Sequence, residues 1–148
     1  MPTDAPPLAY FDTSVIVKRY VEERGSPLVR RLLWQHRVLS SAIAPVELIS
    51  AICQRRTAGT LRPQVAAALL SGVRVDRLYW QLADVSEPIL TLSEELVQTR
   101  GLRALDAIHV ASAQIARAVS GDPLPFVTAD ARQRDVAVQT GFDVIWVE

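Results

Sequence analysis

Short apolar runs alternate along the chain with longer segments in which apolar residues recur at helical spacing. The runs 8–11 and 143–147 have the length and the aromatic or β-branched content of buried strands, whereas 87–100 and 104–119 have the length of helices. Because such strands and helices alternate, the pattern predicts an α/β fold built on a parallel sheet.

The pattern also predicts where each element lies. The predicted strands, of which four to five form a central sheet, are residues 8–11, 38–40, 82–85, 124–127 and 143–147. The predicted helices are residues 13–20, 26–36, 62–80, 87–100, 104–119 and 130–140, with one more that carries Glu47 and ends near Gly59. We expect Ser40 or Ser41 to cap this last helix. Residues 1–7 are expected to form a flexible lead-in, and residues 8–148 a single domain in which helices flank the sheet.

The composition is that of a protein with a real core. The 148-residue chain is 49% hydrophobic, which argues against extensive disorder. The N-terminus lacks the features of a signal peptide, and no apolar run approaches the roughly 20 residues that span a bilayer. Cys53 is the only cysteine, so we expect a cytoplasmic protein without membrane association. Cys53, Trp34, Trp80 and Trp146 are expected in the core, although the tryptophans could instead supply apolar area to an interface.

Four carboxylates occur where the surrounding sequence is apolar, and they are Asp12, Glu47, Asp106 and Asp130. Burying an isolated carboxylate is costly, so each must be paired, protonated or bound to a metal. Asp12 and Asp130 follow strand-like runs, and ligands of open α/β sheets bind beside the carboxyl ends of the strands. If the four side chains converge, they form an oxygen-rich pocket suited to Mg²⁺ or Mn²⁺.

Each carboxylate has a simpler explanation when it is taken alone. Asp12 and Asp130 could cap the helices that follow them, and Glu47 could lie on a solvated helix flank. Asp106 is the hardest to explain in this way, because its helix is apolar almost all round and should be buried. The net charge of zero does not indicate a nucleic-acid partner, but four sequestered acids would leave the remaining surface basic.

The four carboxylates belong to four short motifs that occur together in one family. The motifs are Tyr10–Lys18, Ser41–Glu47, Leu102–Ala113 and Phe126–Asp130. In this order they resemble PIN-domain proteins, and most closely the VapC-type toxin ribonucleases of type II toxin–antitoxin pairs. The resemblance covers nearly the whole chain and implies a three-layer fold and a Mg²⁺- or Mn²⁺-dependent endoribonuclease.

The resemblance also implies roles for the four acids. Asp12 and Asp106 would be the chief metal ligands, and Asp130 and Glu47 would complete the site directly or through water. The metal would polarise the scissile phosphate and activate a water molecule, which Glu47 or Asp130 would orient or deprotonate. All four are therefore candidate catalytic residues, and their mutual repulsion should raise some of their pKa values.

Residues beside the acids are candidates for supporting roles. Thr13 and Ser14 could donate hydrogen bonds to Asp12 or to a phosphate, or could merely begin a helix. Thr128 could donate to the aspartates or act as a plain cap. The same motifs contain two further candidates, and each of them could have either a functional or a structural role.

The first is His109, which lies one helical turn from Asp106 and could face the same pocket or be a buried structural residue. The second is Arg103, which could bind RNA phosphate or lie on a solvated face. For partners, the resemblance implies an RNA substrate, a VapB-type antitoxin that often places an arginine among the acids, a homodimer and a toxin–antitoxin hetero-oligomer.

Two other functions compete with this interpretation. A binding module that keeps the PIN fold without catalysis is favoured by loss of an acid, yet all four acids are present. An α/β phosphotransfer enzyme needs a second acid two residues after the first, where this chain has Ser14. It also needs a downstream lysine, whereas the only lysine is Lys18.

Overall fold

A computed structural model describes residues 4–148. Residues 1–3 of the predicted lead-in lie outside this range. The rest of the lead-in meets the body of the protein, because Arg37 donates its backbone N–H to the Pro7 carbonyl at 2.9 Å and its Nε to the Pro6 carbonyl at 3.0 Å. Residues 6 and 7 are therefore attached beside the start of the second strand.

The centre of the fold is a sheet of five parallel strands, which confirms the predicted α/β class. The strands are β1 (Leu8–Phe11), β2 (Arg37–Ser41), β3 (Gln81–Ala83), β4 (Phe126–Thr128) and β5 (Val144–Trp146). They are arranged in the order β3-β2-β1-β4-β5. β1 thus lies in the middle, with β2 on one side and β4 on the other.

Within residues 4–148, seven α-helices connect the strands. They are α1 (Thr13–Tyr20), α2 (Ser26–Gln35), α3 (Ala44–Thr57), α4 (Pro63–Asp76), α5 (Glu87–Arg100), α6 (Ala104–Ser120) and α7 (Ala131–Gln139). Four of them carry proline in the first turn, where its missing N–H costs no helical hydrogen bond. α5 ends at Gly101, whose φ of 68° is accessible to glycine at little cost.

Helices cover both faces of the sheet and give three layers. Alternate residues of β1 point to opposite faces, so Phe11 packs with α1–α4 and Tyr10 packs with α5–α7. Both side chains are fully buried. Because β1 is covered on each face, its sequence is a continuous apolar run, which is why the pattern located it correctly.

Several local predictions are wrong. Neither Ser40 nor Ser41 caps α3, since both lie in β2 and the position before α3 is Ile43. The Ser40 hydroxyl instead donates to the Phe11 carbonyl at 2.7 Å. The predicted helix 62–80 ends at Asp76, and a single 3₁₀ turn, Arg77–Tyr79, leads into β3.

Two predictions of core burial also fail. Trp34, on α2, is 86% exposed, whereas Trp80 and Trp146 are partly buried. Cys53 is only partly buried. Among residues 4–148, no helix combines the length and apolarity that a membrane crossing requires.

Candidate metal centre and active site

The sheet order brings Asp12 and Asp130 to the same edge. Phe11 of β1 pairs with Val127 of β4, and the Asp12 N–H donates to the Val127 carbonyl at 3.1 Å. Asp12 directly follows β1, and Asp130 precedes α7 just beyond β4. Both therefore lie at the carboxyl ends of adjacent parallel strands, where ligands of such sheets bind.

Two helices direct the other two acids toward the same place. Glu47 lies in the first turn of α3 and Asp106 in the first turn of α6. A helix N-terminus carries partial positive charge, which favours a carboxylate there. As a result, all four acids line one cavity of about 320 Å³.

Asp12 is the most deeply buried of the four, with 1% of its surface exposed. The Ser14 hydroxyl donates toward both of its carboxylate oxygens, at 2.7 and 3.0 Å. Burial raises the pKa of Asp12 to about 6, and the nearby charge of Asp130 adds to the rise. The expected repulsion between acids is present, but loss of hydration is the larger cause of the raised pKa.

Glu47 is held by donors from two other elements. Its Oε1 accepts a hydrogen bond from the Thr13 hydroxyl at 2.7 Å and lies 2.7 Å from Nε2 of His109. The other imidazole nitrogen, Nδ1, lies 2.8 Å from the hydroxyl of the fully buried Tyr10. When Tyr10 donates to Nδ1, Nε2 carries the proton and donates it to Glu47. This chain of contacts fixes the direction in which Glu47 points.

Asp106 is bound through both of its oxygens. Oδ1 accepts a hydrogen bond from Nε2 of Gln133 at 2.9 Å, and Oδ2 accepts one from Nε of Arg103 at 2.9 Å. Asp106 and Gln133 are buried, whereas the Arg103 side chain is 65% exposed. The acid is thus fixed from the interior by an amide and contacted from the solvent side by a cation.

Asp130 has a structural role as well as a place in the cavity. Its Oδ1 caps α7 by accepting the Gln133 N–H at 2.9 Å, as the capping alternative predicted. Its Oδ2 lies 3.7 Å from Nη2 of Arg103. The Thr128 hydroxyl accepts the Asp130 N–H at 3.0 Å. One carboxylate oxygen therefore serves the helix, and the other faces Arg103.

The supporting candidates all contact the acids, although not always as expected. Ser14 contacts Asp12, but Thr13 donates to Glu47 instead. The reason is that Thr13 begins α1, which packs against α3. His109 is buried and also faces the cavity, so its two alternatives are compatible.

Sequence reasoning missed two residues that line the cavity, Gln133 and Arg55. A signal for Gln133 was present, because Asp130-x-x-Gln133 is the spacing of a capping box. Its side chain reaches Asp106 instead of closing that box. Arg55 is ion-paired with Glu23, and no local pattern places these two residues together.

The donor chemistry fits a divalent cation. Four carboxylates that line one cavity supply the oxygen ligands that Mg²⁺ and Mn²⁺ prefer. Burial raises the pKa of Asp12, and a bound cation would offset this effect by favouring the charged carboxylate. Within residues 4–148, no three acidic, histidine or cysteine side chains already form a group with metal-binding geometry. The donors that occupy Asp106, Asp130 and Glu47 account for the directions their oxygens now take.

Comparison with known proteins identifies the family. The model of the PIN domain matches residues 9–139, so the chain belongs to the PIN domain family. It is 34% identical over 137 residues to Ribonuclease VapC46 of Mycobacterium tuberculosis, an alignment that covers 92% of this chain and 95% of the relative.

Solved structures share the fold at much lower identity. FitAcB from Neisseria gonorrhoeae matches with a TM-score of 0.69 and 18% identity, covering 95% of this chain and 97% of that one. A toxin–antitoxin complex from Klebsiella pneumoniae matches with a TM-score of 0.66 and 19% identity, covering 93% and 95%. VapBC2 from Rickettsia felis, bound to a DNA fragment from its promoter, matches with a TM-score of 0.64 and 13% identity, covering 95% and 99%. These matches support the three-layer fold.

Proposed function

We propose that this protein is a metal-dependent endoribonuclease that acts as the toxin of a type II toxin–antitoxin pair. The observation that carries the proposal is the convergence of Asp12, Glu47, Asp106 and Asp130 in one cavity of a PIN fold. The relative that is named a ribonuclease aligns over nearly the whole chain and supports RNA as the substrate. The reaction belongs in the cytoplasm, where a lone cysteine stays reduced.

Mg²⁺ or Mn²⁺ would be held by Asp12 and Asp106, with Asp130 and Glu47 completing the site directly or through water. When bound, the cation supplies Lewis-acid polarisation of the phosphate and a lowered pKa for an attacking water. Gln133 fixes Asp106 from the interior, and Arg103 contacts the same carboxylate from the solvent side. The Ser14 hydroxyl contacts both oxygens of Asp12 and orients that acid.

Glu47 is the best-placed group to orient the water. It is partly exposed in the cavity, and Thr13 and His109 both contact Oε1, which leaves Oε2 for the substrate side. The water oxygen would bond to phosphorus as the bond from phosphorus to the 3′ oxygen breaks. A proton passes to that leaving oxygen, so the products carry a 5′-phosphate and a 3′-hydroxyl.

A VapB-type antitoxin is the proposed partner, together with a second toxin copy. Structural relatives include toxin–antitoxin complexes, and exposed aromatic side chains offer a surface for such contacts. Trp34 and Tyr79 are 86% and 82% exposed and line one groove with Arg30 and Arg37. Tryptophan, tyrosine and arginine are the residue types that dominate binding energy at protein interfaces.

The test is cleavage of purified total RNA by the whole protein with Mg²⁺, with Mn²⁺ and with EDTA. We expect cutting that requires the metal, that yields 5′-phosphate ends and that Asp106→Asn abolishes. Asp135→Asn, at an exposed aspartate outside the cavity, is the matched control and should cut normally. RNA binding without any cutting under all conditions would contradict the proposal and favour a non-catalytic binding module.

A further inference from the structure

Arg103 stands out because it is an exposed cation that is ion-paired with two acids of the cavity. It precedes α6, and its side chain is 65% exposed. Its Nε lies 2.9 Å from Oδ2 of Asp106, and its Nη2 lies 3.7 Å from Oδ2 of Asp130. The guanidinium therefore bridges carboxylates that belong to two separate elements, α6 and the segment before α7.

The bridged oxygens are the ones that a cation in the cavity would use. The other oxygen of each acid is committed to Gln133, through its side chain for Asp106 and its backbone N–H for Asp130. A Mg²⁺ ion binds oxygen at about 2.0–2.1 Å and demands near-octahedral geometry. The guanidinium is at hydrogen-bond distance from Oδ2 of Asp106 and 3.7 Å from Oδ2 of Asp130, so a cation that used these oxygens would meet its positive charge.

We propose that Arg103 is an exchangeable counter-ion: it neutralises Asp106 and Asp130 in the metal-free protein, leaves them when a divalent cation binds, and then holds an RNA phosphate. The proposal rests on the proposed function for its RNA half only. The metal half concerns the protein and the cation alone.

Exposure makes the exchange inexpensive. Water solvates the exposed Arg103 guanidinium when it leaves, and the incoming cation neutralises the buried Asp106, so the exchange costs the protein little. Among residues 4–148, Arg103 forms ion pairs with no carboxylates other than Asp106 and Asp130. Once released at the rim of the cavity, its planar fork matches the oxygens of a phosphate, which accept paired hydrogen bonds from arginine.

A purely structural role for Arg103 predicts the opposite change in metal affinity when Arg103 is removed. If Arg103 served to hold the two acids in their ligating positions, its removal would weaken metal binding. If it competes with the metal, its removal strengthens metal binding. The sign of the change in metal affinity therefore decides between the two roles.

The experiment compares the whole protein with Arg103→Gln, which keeps the length of the side chain and removes its charge, and with Arg103→Lys. Mn²⁺ affinity is measured by calorimetry without RNA, and KM and kcat for RNA cleavage are measured at saturating Mn²⁺. Arg55→Gln is the matched control, because Arg55 lines the same cavity but is paired with Glu23. A thermal melt of each variant checks folding.

We expect Arg103→Gln to bind Mn²⁺ roughly two- to fivefold more tightly, the equivalent of one exposed ion pair, and Arg55→Gln to change less. The KM for RNA should rise in Arg103→Gln. The slope of log KM against log salt concentration should fall by about 0.7, as expected when one phosphate contact to a single strand is lost. Arg103→Lys should keep most of the RNA affinity.

The exchange would be overturned if Arg103→Gln bound Mn²⁺ more weakly than the parent protein. It would also be overturned if Arg55→Gln gained as much Mn²⁺ affinity as Arg103→Gln. An unchanged KM with tighter Mn²⁺ binding would overturn the phosphate contact. If the unmodified protein cut no RNA, the proposed function would fail while the Mn²⁺ measurement still decided the metal half.

Discussion

Gln133 donates Nε2 to Oδ1 of Asp106 at 2.9 Å, although the two residues are 27 positions apart and lie on different helices. The amide is buried, and its own Oε1 has no hydrogen-bond donor among residues 4–148. An unsatisfied buried oxygen costs free energy, so the amide is not there for stability alone. Its clearest contribution is to fix the direction of Asp106.

Replacing Gln133 by leucine should therefore weaken the metal centre more than the fold. Partners that orient a metal ligand typically change metal affinity by about 10–100-fold when removed. We expect Gln133→Leu to lower Mn²⁺ affinity by about tenfold, measured by calorimetry, with a melting temperature close to that of the parent protein. The matched control is Gln139→Leu, at an exposed glutamine of the same helix. Equal Mn²⁺ affinity in Gln133→Leu and the parent would contradict this role.

His109 should act on the reaction through Glu47. His109→Leu removes a donor from Glu47 and a partner from the buried Tyr10 hydroxyl. We expect the free energy of unfolding to fall by about 1–3 kcal/mol in urea titrations, because a buried polar group loses its hydrogen bond. The cleavage rate should fall as well, since Glu47 then keeps only the donor from Thr13.

The conservative variant separates these two effects. His109→Gln places an amide nitrogen near the former Nε2 and should restore much of the cleavage rate without restoring the contact to Tyr10. If His109→Gln and His109→Leu cut RNA equally slowly at equal stability, Glu47 would not be the group through which His109 acts.

Asp12 should make the stability of the metal-free protein depend on pH. Its pKa is raised from 3.8 to about 6 in the folded state, mainly by burial. The folded protein then binds the proton more tightly than the unfolded chain, so this stabilisation is complete below pH 3.8 and is lost as the pH rises through about 6. Asp12→Asn cannot ionise and avoids that loss.

In EDTA, Asp12→Asn should therefore be more stable than the parent protein at pH 7.5, by up to about 3 kcal/mol, and nearly equal to it at pH 4. Chemical denaturation across this range measures the difference. Asp135→Asn, at an exposed residue, should show no such trend. A gap between Asp12→Asn and the parent that stays constant from pH 4 to 7.5 would show that ionisation of Asp12 is not the cause.

Ser14 should help Asp12 to stay ionised. Its hydroxyl donates to both Asp12 oxygens and accepts the Ala129 N–H at 3.0 Å. Loss of that hydroxyl in Ser14→Ala raises the pKa of Asp12 further, because a hydrogen bond to the charged form is gone. Mn²⁺ affinity should drop more at pH 6 than at pH 8, whereas Ser71→Ala, on an exposed face, should change neither. An equal drop at both pH values would contradict this assignment.

The sequence predicted the fold well because its signals are local. The apolar run before Asp12 and the glycine that ends α5 each depend on a few neighbouring residues, and both lie where expected. The misplaced cap on α3 shows the limit of such signals, since Ser40 has the right chemistry but its hydroxyl is used by Phe11 across the sheet.

The contacts within the cavity could not be read in the same way. Thr13 donates to Glu47, and Gln133 donates to Asp106. Both hydrogen bonds depend on how α1, α3, α6 and α7 pack, and residue spacing along the chain does not reveal this packing. Trp34 was expected to be buried because it is apolar, yet it is exposed in the single chain. Only contact with a partner could bury it. The four acids were recognisable because carboxylates in apolar surroundings are unusual wherever the helices lie.

A crystal structure of the whole protein grown with Mn²⁺ would show whether the four acids form a divalent-metal centre. Anomalous diffraction should show one or two peaks between Asp12 and Asp106, with Arg103 turned away from Asp106. If crystals saturated with Mn²⁺ showed no anomalous peak in the cavity and kept the contact between Arg103 and Asp106, the four acids would not form such a centre.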